Sequence, residues 1–328
     1  MRVGIDVSPL EQTRAGTARY VTGLLGALEG RPGLELHRLV FRGSGKAAAL
    51  VRDTAWYLAL LPREARLRRL DVLHCTTFRA PLRSSVPLVV TVHDLALLRH
   101  PELFRPWLRL YGASLLRRVV RGAARVIAVS EFTGREVVEL AGVPPERVRV
   151  VPNATADTFQ PEGEAADGDY VLALGTLEPR KNLPRLAEAA RRLGLELRVV
   201  GASGWGGVAI GGNGVRWLGE LPDAEVAALL RGALCFAYPS LYEGFGLPVL
   251  EAMRCGAPVV TSAGTAMEEV AGDAAELVDP LDAASIAAGI ERAIGRRDEL
   301  SARGLERARR YTWTAAAEAT EAVYRELL

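Results

Sequence analysis

The chain has 328 residues, 49% of them hydrophobic, and its 41 basic and 39 acidic side chains leave a net charge of +2. It is too long for one ordinary core and fits two domains with a soluble, globular composition. Three cysteines (Cys75, Cys235, Cys255) in apolar sequence exclude a disulfide framework and point to buried, reduced thiols in a cytosolic protein. The longest apolar run, 86–98, is broken by His93 and Asp94, which excludes a membrane span.

The start, Met1-Arg2-Val3-Gly4-Ile5-Asp6-Val7, reads directly as a strand and lacks signal-peptide architecture. Further β-rich runs follow at 34–41, 72–75, 88–92, 125–129 and 148–151, with a helix over 131–141. A polar, proline-flanked connection follows at 152–169. A second set of strands falls at 170–174, 196–200, 215–218, 234–238, 258–261 and 275–278, with helices over 223–231 and 248–255. Strands alternating with helices predict parallel sheets covered on both faces, and two sets of six predict two doubly wound α/β domains, 1–158 and 159–310. Ligands of such sheets bind at the carboxyl ends of the strands, so the expected site is the cleft between the domains.

The small net charge hides an asymmetry. Residues 1–158 hold 24 basic and 14 acidic side chains, a net of +10, whereas 159–328 hold 17 and 25, a net of −8. The first half therefore suits an anionic partner. Its densest parts are Arg63, Arg66, Arg68 and Arg69, and the 105–125 stretch. There Arg105, Arg109, Arg117, Arg118, Arg121 and Arg125 interleave with Trp107, Leu108, Leu110, Tyr111, Leu115 and Leu116. A solvated helix face and a membrane-surface helix both fit that pattern.

Two segments carry chemistry. Only two of the 41 cations are lysines, and one of them, Lys181, lies in Gly175-Thr176-Leu177-Glu178-Pro179-Arg180-Lys181-Asn182. This segment joins a strand to a helix opened by Asn182, an N-cap type, with Pro184 near its start, and cations there suit phosphate. The second segment runs from Tyr238-Pro239-Ser240 through Glu243-Gly244-Phe245-Gly246-Leu247-Pro248 to Glu251 and Gly256. It places Glu243 in a loop with two glycines and Glu251 in the first turn of a helix. Carboxylates accept from sugar or ribose hydroxyls, while close backbone N–H groups and cations hold phosphates. Taken alone, Arg180-Lys181 also reads as a solvated turn and His93 as a satisfied core histidine, as His74 does. Gly201-Ala202-Ser203-Gly204-Trp205-Gly206 does not fit the dinucleotide-binding glycine pattern.

Glu243-x7-Glu251, with Gly-Phe-Gly-Leu-Pro inside it, resembles the signature of retaining GT-B glycosyltransferases of family 4, and the resemblance extends over nearly the whole chain. The 175–182 segment resembles the family's diphosphate-binding Arg-Lys segment, and Thr91-Val92-His93-Asp94-Leu95 its histidine-bearing strand end. Arg14-Ala15-Gly16-Thr17-Ala18-Arg19-Tyr20 resembles the loop that covers the phosphates, and Val151-Pro152-Asn153 the hinge. The tail at 311–328 is similar to the C-terminal helix that crosses back to the first domain.

The resemblance implies a GT-B fold, two Rossmann-like domains facing across a cleft, and a hexosyltransferase using a nucleotide-diphosphate sugar. Catalytic roles then fall to His93, Glu243, Arg180 and Lys181. Donor binding falls to Gly16, Arg180, Lys181, Gly201, Leu218, Glu243, Gly244, Phe245, Gly246, Leu247 and Glu251, with Glu251 on the ribose and Gly201 and Leu218 near the base. No metal or other cofactor is expected. Thr-Val-His-Asp-Leu and Glu-Pro-Arg-Lys-Asn look most like bacterial mannosyltransferases of polysaccharide biosynthesis, which suggests GDP-mannose. The acceptor is a saccharide or lipid-linked saccharide. The location is cytoplasmic, peripheral at the inner face of an anionic membrane, and no nucleic-acid partner is expected. A sugar phosphorylase, a nucleotide-sugar epimerase, a nicotinamide dehydrogenase and a non-catalytic sugar-binding protein are the alternatives.

Overall fold

The computed structural model describes residues 1–12, 16–43, 45–104, 106, 108–204, 206, 208 and 210–328. Arg14, Ala15, Arg105, Trp107 and Trp205, named above, lie outside the described residues. The chain forms two compact units, one of residues 1–154 with 312–328 and one of residues 155–311.

The first unit holds β1 (Arg2–Asp6), β2 (Glu35–Leu39), β3 (Val72–Cys75), β4 (Leu88–Val92), β5 (Arg125–Ala128) and β6 (Val148–Val150). All pair in parallel, in the order β2-β1-β3-β4-β5-β6. The second holds β7 (Tyr170–Leu174), β8 (Glu196–Val200), β9 (Val215–Gly219), β10 (Cys235–Tyr238), β11 (Val259–Ser262) and β12 (Ala275–Val278). These are also parallel, in the order β12-β11-β10-β7-β8-β9. The central strands β3, β4, β7, β10 and β11 are buried throughout, as helices on both faces require. Edge strands β2 and β9 carry the polar residues Glu35, Arg38 and Arg216, which discourages pairing with another chain.

Helix ends follow local chemistry. Ser130 caps the Glu131–Ala141 helix by accepting from Thr133 N at 3.0 Å, and Gly142 closes it in the left-handed region. Thr312 opens the Trp313–Arg325 helix by accepting from Ala315 N at 3.1 Å.

That last helix belongs to the first unit. Trp313 rests over Gly23 of the Gly16–Leu28 helix, where an added Cβ would lie 2.1 Å from the indole. Arg31 pairs with Glu321, and Arg125 and Arg149 both pair with Glu326. Beneath them runs a buried polar chain. Tyr324 Oη lies 2.7 Å from His74 Nδ1, His74 Nε2 lies 2.8 Å from Thr91 Oγ1, and Thr91 Oγ1 lies 3.0 Å from Tyr20 Oη. Burial pushes the His74 pKa down to about 3, so this ring is neutral and fully satisfied, the core histidine the sequence suggested. Tyr324→Phe strands a buried ring nitrogen and is expected to cost about 1–3 kcal/mol of first-unit stability, read by chemical denaturation.

Candidate active site

In doubly wound sheets the ligand crevice forms where the strand order reverses, at the carboxyl ends of the strands. In the second unit that reversal falls between β7 and β10. The turn after β7 carries Arg180 and Lys181, and the loop after β10 carries Glu243. Residues about 60 positions apart in sequence thus meet at one place because of the sheet order.

Glu243 is the hub. Its Oε1 accepts from Lys181 Nζ at 2.6 Å, from Tyr238 Oη at 3.0 Å and from Ser240 Oγ at 3.0 Å. Its Oε2 accepts from Arg180 Nη1 at 2.7 Å. Arg180 also pairs with Glu178 at 2.9 Å, and Lys181 Nζ donates to Tyr238 Oη at 2.5 Å. Burial alone would raise the Glu243 pKa, but Lys181 and Arg180 outweigh it and hold the carboxyl at about 2. Glu243 therefore contributes stability that is fully present above pH about 4.5 and lost as the pH falls toward 2. Burial lowers the Lys181 pKa, and Glu243 opposes that shift. Burial and the Glu243 charge push the Tyr238 hydroxyl well above its usual value, so it remains a proton donor.

The framework around this cluster is tight. Lys181 is 8% exposed, its Nζ 5.0 Å from the Tyr238 ring centroid. A Cβ on Gly175 would stand 3.2 Å from the lysine stem, so glycine keeps that space open. Asn182 adopts φ +59, a left-handed conformation that is uncommon outside glycine. Its side chain does not cap the Leu183–Arg192 helix, contrary to the N-cap expectation. Instead Asn182 Nδ2 donates to Pro239 O at 3.0 Å and Pro280 O at 2.6 Å, tying the cation turn to the loops after β10 and β12. Leu241 N donates to Arg180 O at 2.8 Å and adds a second tie.

Gly246 (φ +103) precedes the Leu247–Arg254 helix and lies so near Met267 that a Cβ would be 2.9 Å from its Cγ. Because this helix starts at Leu247, Glu251 sits beyond the first turn, where the sequence had placed it, and is 2% exposed. Phe245 is buried edge-on against Tyr311. Gly201 abuts Gly175, with its N–H donated to Gly219 O at 2.8 Å. Leu218 lines a separate cavity with Ala166, Arg198 and Leu229, not the Glu243 cluster. In the first unit, Gly16 is the exposed first residue of its helix. His93 follows β4, half-buried and edge-on to Tyr20, and its Nε2 donates to Thr76 O at 2.9 Å. Burial lowers its pKa although Thr76 O and Asp94 favour the charged ring, so Nδ1 of the neutral form is an acceptor.

Tyr238 and Ser240 were not singled out from sequence, and Asn182 was expected only as a helix cap. Hydroxyls five and three residues before a loop glutamate were the available signal. Among the described residues no three His, Cys, Asp or Glu side chains gather as metal ligands, and no helix is long and apolar enough to cross a membrane.

Two parallel six-stranded α/β units with the last helix returned to the first define a GT-B fold. Sucrose-phosphate synthase from Thermosynechococcus elongatus superposes with a TM-score of 0.81 at 18% identity, over 99% of this chain and 98% of that one. Residues 14–158 match the glycosyltransferase family 4 model and residues 155–311 the glycosyl transferases group 1 model. The Escherichia coli O-antigen chain mannosyltransferase B is 33% identical, over 74% of this chain and 71% of that protein. A D-inositol 3-phosphate glycosyltransferase of Geodermatophilus obscurus is 30% identical, over 87% and 73%. The chain belongs to the group 1, family 4 glycosyltransferases and is an enzyme of that class.

Proposed function

We propose that this glycosyltransferase retains anomeric configuration, needs no metal ion, and moves mannose from GDP-mannose to a saccharide or lipid-linked acceptor. The observation that carries the reading is the Arg180–Lys181 pair gathered with Glu243 at the β7–β10 reversal. As the bond from the sugar's anomeric carbon to the diphosphate breaks, negative charge grows on the leaving oxygen. Arg180 and Lys181 neutralise it, taking the role a metal ion plays elsewhere. Glu243 accepts sugar hydroxyls with the N–H groups of the 244–247 loop, Glu251 binds the ribose, and His93 hydrogen-bonds the sugar. Gly16 approaches the phosphates, and Gly201 and Leu218 border the base.

Similarity to a protein named as an O-antigen chain mannosyltransferase supports mannose. The expected experiment is incubation with GDP-mannose and a mannosyl acceptor. Release of GDP with a retained glycosidic linkage, undiminished by EDTA, is expected; turnover only with free phosphate and no nucleotide sugar would sink the reading.

The basic first unit supports an anionic acceptor at the inner face of the membrane. Helices over 52–67 and 113–122 pack into one hydrophobic cluster, yet Leu58 and Leu67 on the first, and Leu110 and Tyr111 on the 108–112 turn that leads into the second, are exposed, near Arg63, Arg66 and Arg109 in sequence. Exposed leucines among arginines suit peripheral contact with anionic lipid. Sedimentation with anionic vesicles at low salt, reduced at high salt, is expected; recovery of all protein in the supernatant at low salt removes this part.

A further inference from the structure

The cations at the β7–β10 reversal are already neutralised. Arg180 and Lys181 face two carboxylates, Glu178 and Glu243. A diphosphate gains little from a cluster whose charges cancel, so one carboxylate must give way before the cations can serve it. Glu178 opens the same turn as the cations and contacts Arg180. Glu243 is held by both cations and sits on a different loop, the one after β10.

We propose that Glu243 is a resident counter-anion of Arg180 and Lys181 and is displaced by the donor's diphosphate. The displaced carboxylate is then available to accept hydroxyls of the sugar that arrives with the diphosphate. One side chain thereby couples diphosphate arrival to sugar capture. After transfer the sugar is gone, and the return of Glu243 to the cations competes with the nucleoside diphosphate product and hastens its release. The buried hydroxyls of Tyr238 and Ser240, both on Glu243 Oε1, mark the resting position to which the carboxylate returns. This inference rests on the donor-site reading above.

The test is calorimetric titration of sugar-free GDP, UDP, ADP and dTDP into the full-length wild type, Glu243→Gln and Ser240→Ala. Glu243→Gln removes the competitor, so the nucleotide that the wild type binds should bind about tenfold tighter although transfer is lost. Ser240→Ala loosens the resident carboxylate and should tighten the same nucleotide about twofold to threefold. Equal or weaker binding by a folded Glu243→Gln overturns the proposal and leaves the donor site standing. Should that variant not fold, Ser240→Ala decides: tightening supports the proposal, and unchanged or weaker binding overturns it. Wild type binding none of the four diphosphates overturns the donor-site reading itself.

Discussion

Lys181→Ala is expected to lower the rate of sugar transfer by about 10²–10³-fold, the typical effect of removing one preorganised group aimed at developing charge. Lys181→Arg is expected to lower it by about tenfold or more, even though arginine supplies the charge nearly everywhere else in this chain. The reason is space. The ammonium lies 2.5 Å from Tyr238 Oη and 2.6 Å from Glu243 Oε1, and its stem runs against Gly175. A planar guanidinium is broader than a point charge and cannot enter that position without moving the β10 loop. Initial rates with saturating nucleotide sugar, with circular dichroism as a check on folding, measure both. An arginine variant with wild-type rate means that a plain positive charge is enough there.

Gly201→Ala is expected to cost the second unit about 3 kcal/mol, the upper part of the overpacking range. The new Cβ would stand 2.1 Å from Gly175 O and 2.5 Å from Gly175 C, backbone atoms that cannot rotate aside, and φ at Gly201 is +154. Gly175 begins the turn that carries Arg180 and Lys181, so the strain lands on the candidate site as well. Denaturant unfolding followed by tryptophan fluorescence reads the loss. Gly26→Ala is the contrast, since no atom beyond its chain neighbours and its own helix backbone lies within 4 Å of an added Cβ, and it should stabilise by about 0.5–1 kcal/mol. Equal effects at the two positions would remove the steric account of Gly201.

Most of this architecture was legible in the residues. The twelve strands of the described residues fall within one or two residues of the β-rich runs, because central strands of covered parallel sheets are continuous apolar segments such as Leu88–Val92 and Tyr170–Leu174. Strand order was not legible, since it depends on pairings that hydrophobic pattern does not encode. The meeting of Lys181 with Glu243 follows from β7 lying beside β10, and no local motif states that. Asn182 misled because an asparagine before a helix is usually a cap, whereas this one adopts a left-handed turn and bridges loops. Glu251 was placed in the first helical turn because Pro248 was read as the start. Gly246 sets the start at Leu247 instead. Tyr238 and Ser240 passed unnoticed because hydroxyls at a strand end are common, and only the side chains around Glu243 make them significant.

Arg180 and Lys181 are the proposed grip on a nucleotide-sugar diphosphate. Thermal shift of the wild type and of Lys181→Ala against GDP-, UDP-, ADP- and dTDP-sugars tests it most directly, because a ligand that binds the folded state raises its melting temperature with concentration. A concentration-dependent rise is expected for the wild type, largest with GDP-mannose, and small or absent in Lys181→Ala. Equal rises in the two proteins, or no rise with any of the four, would contradict it.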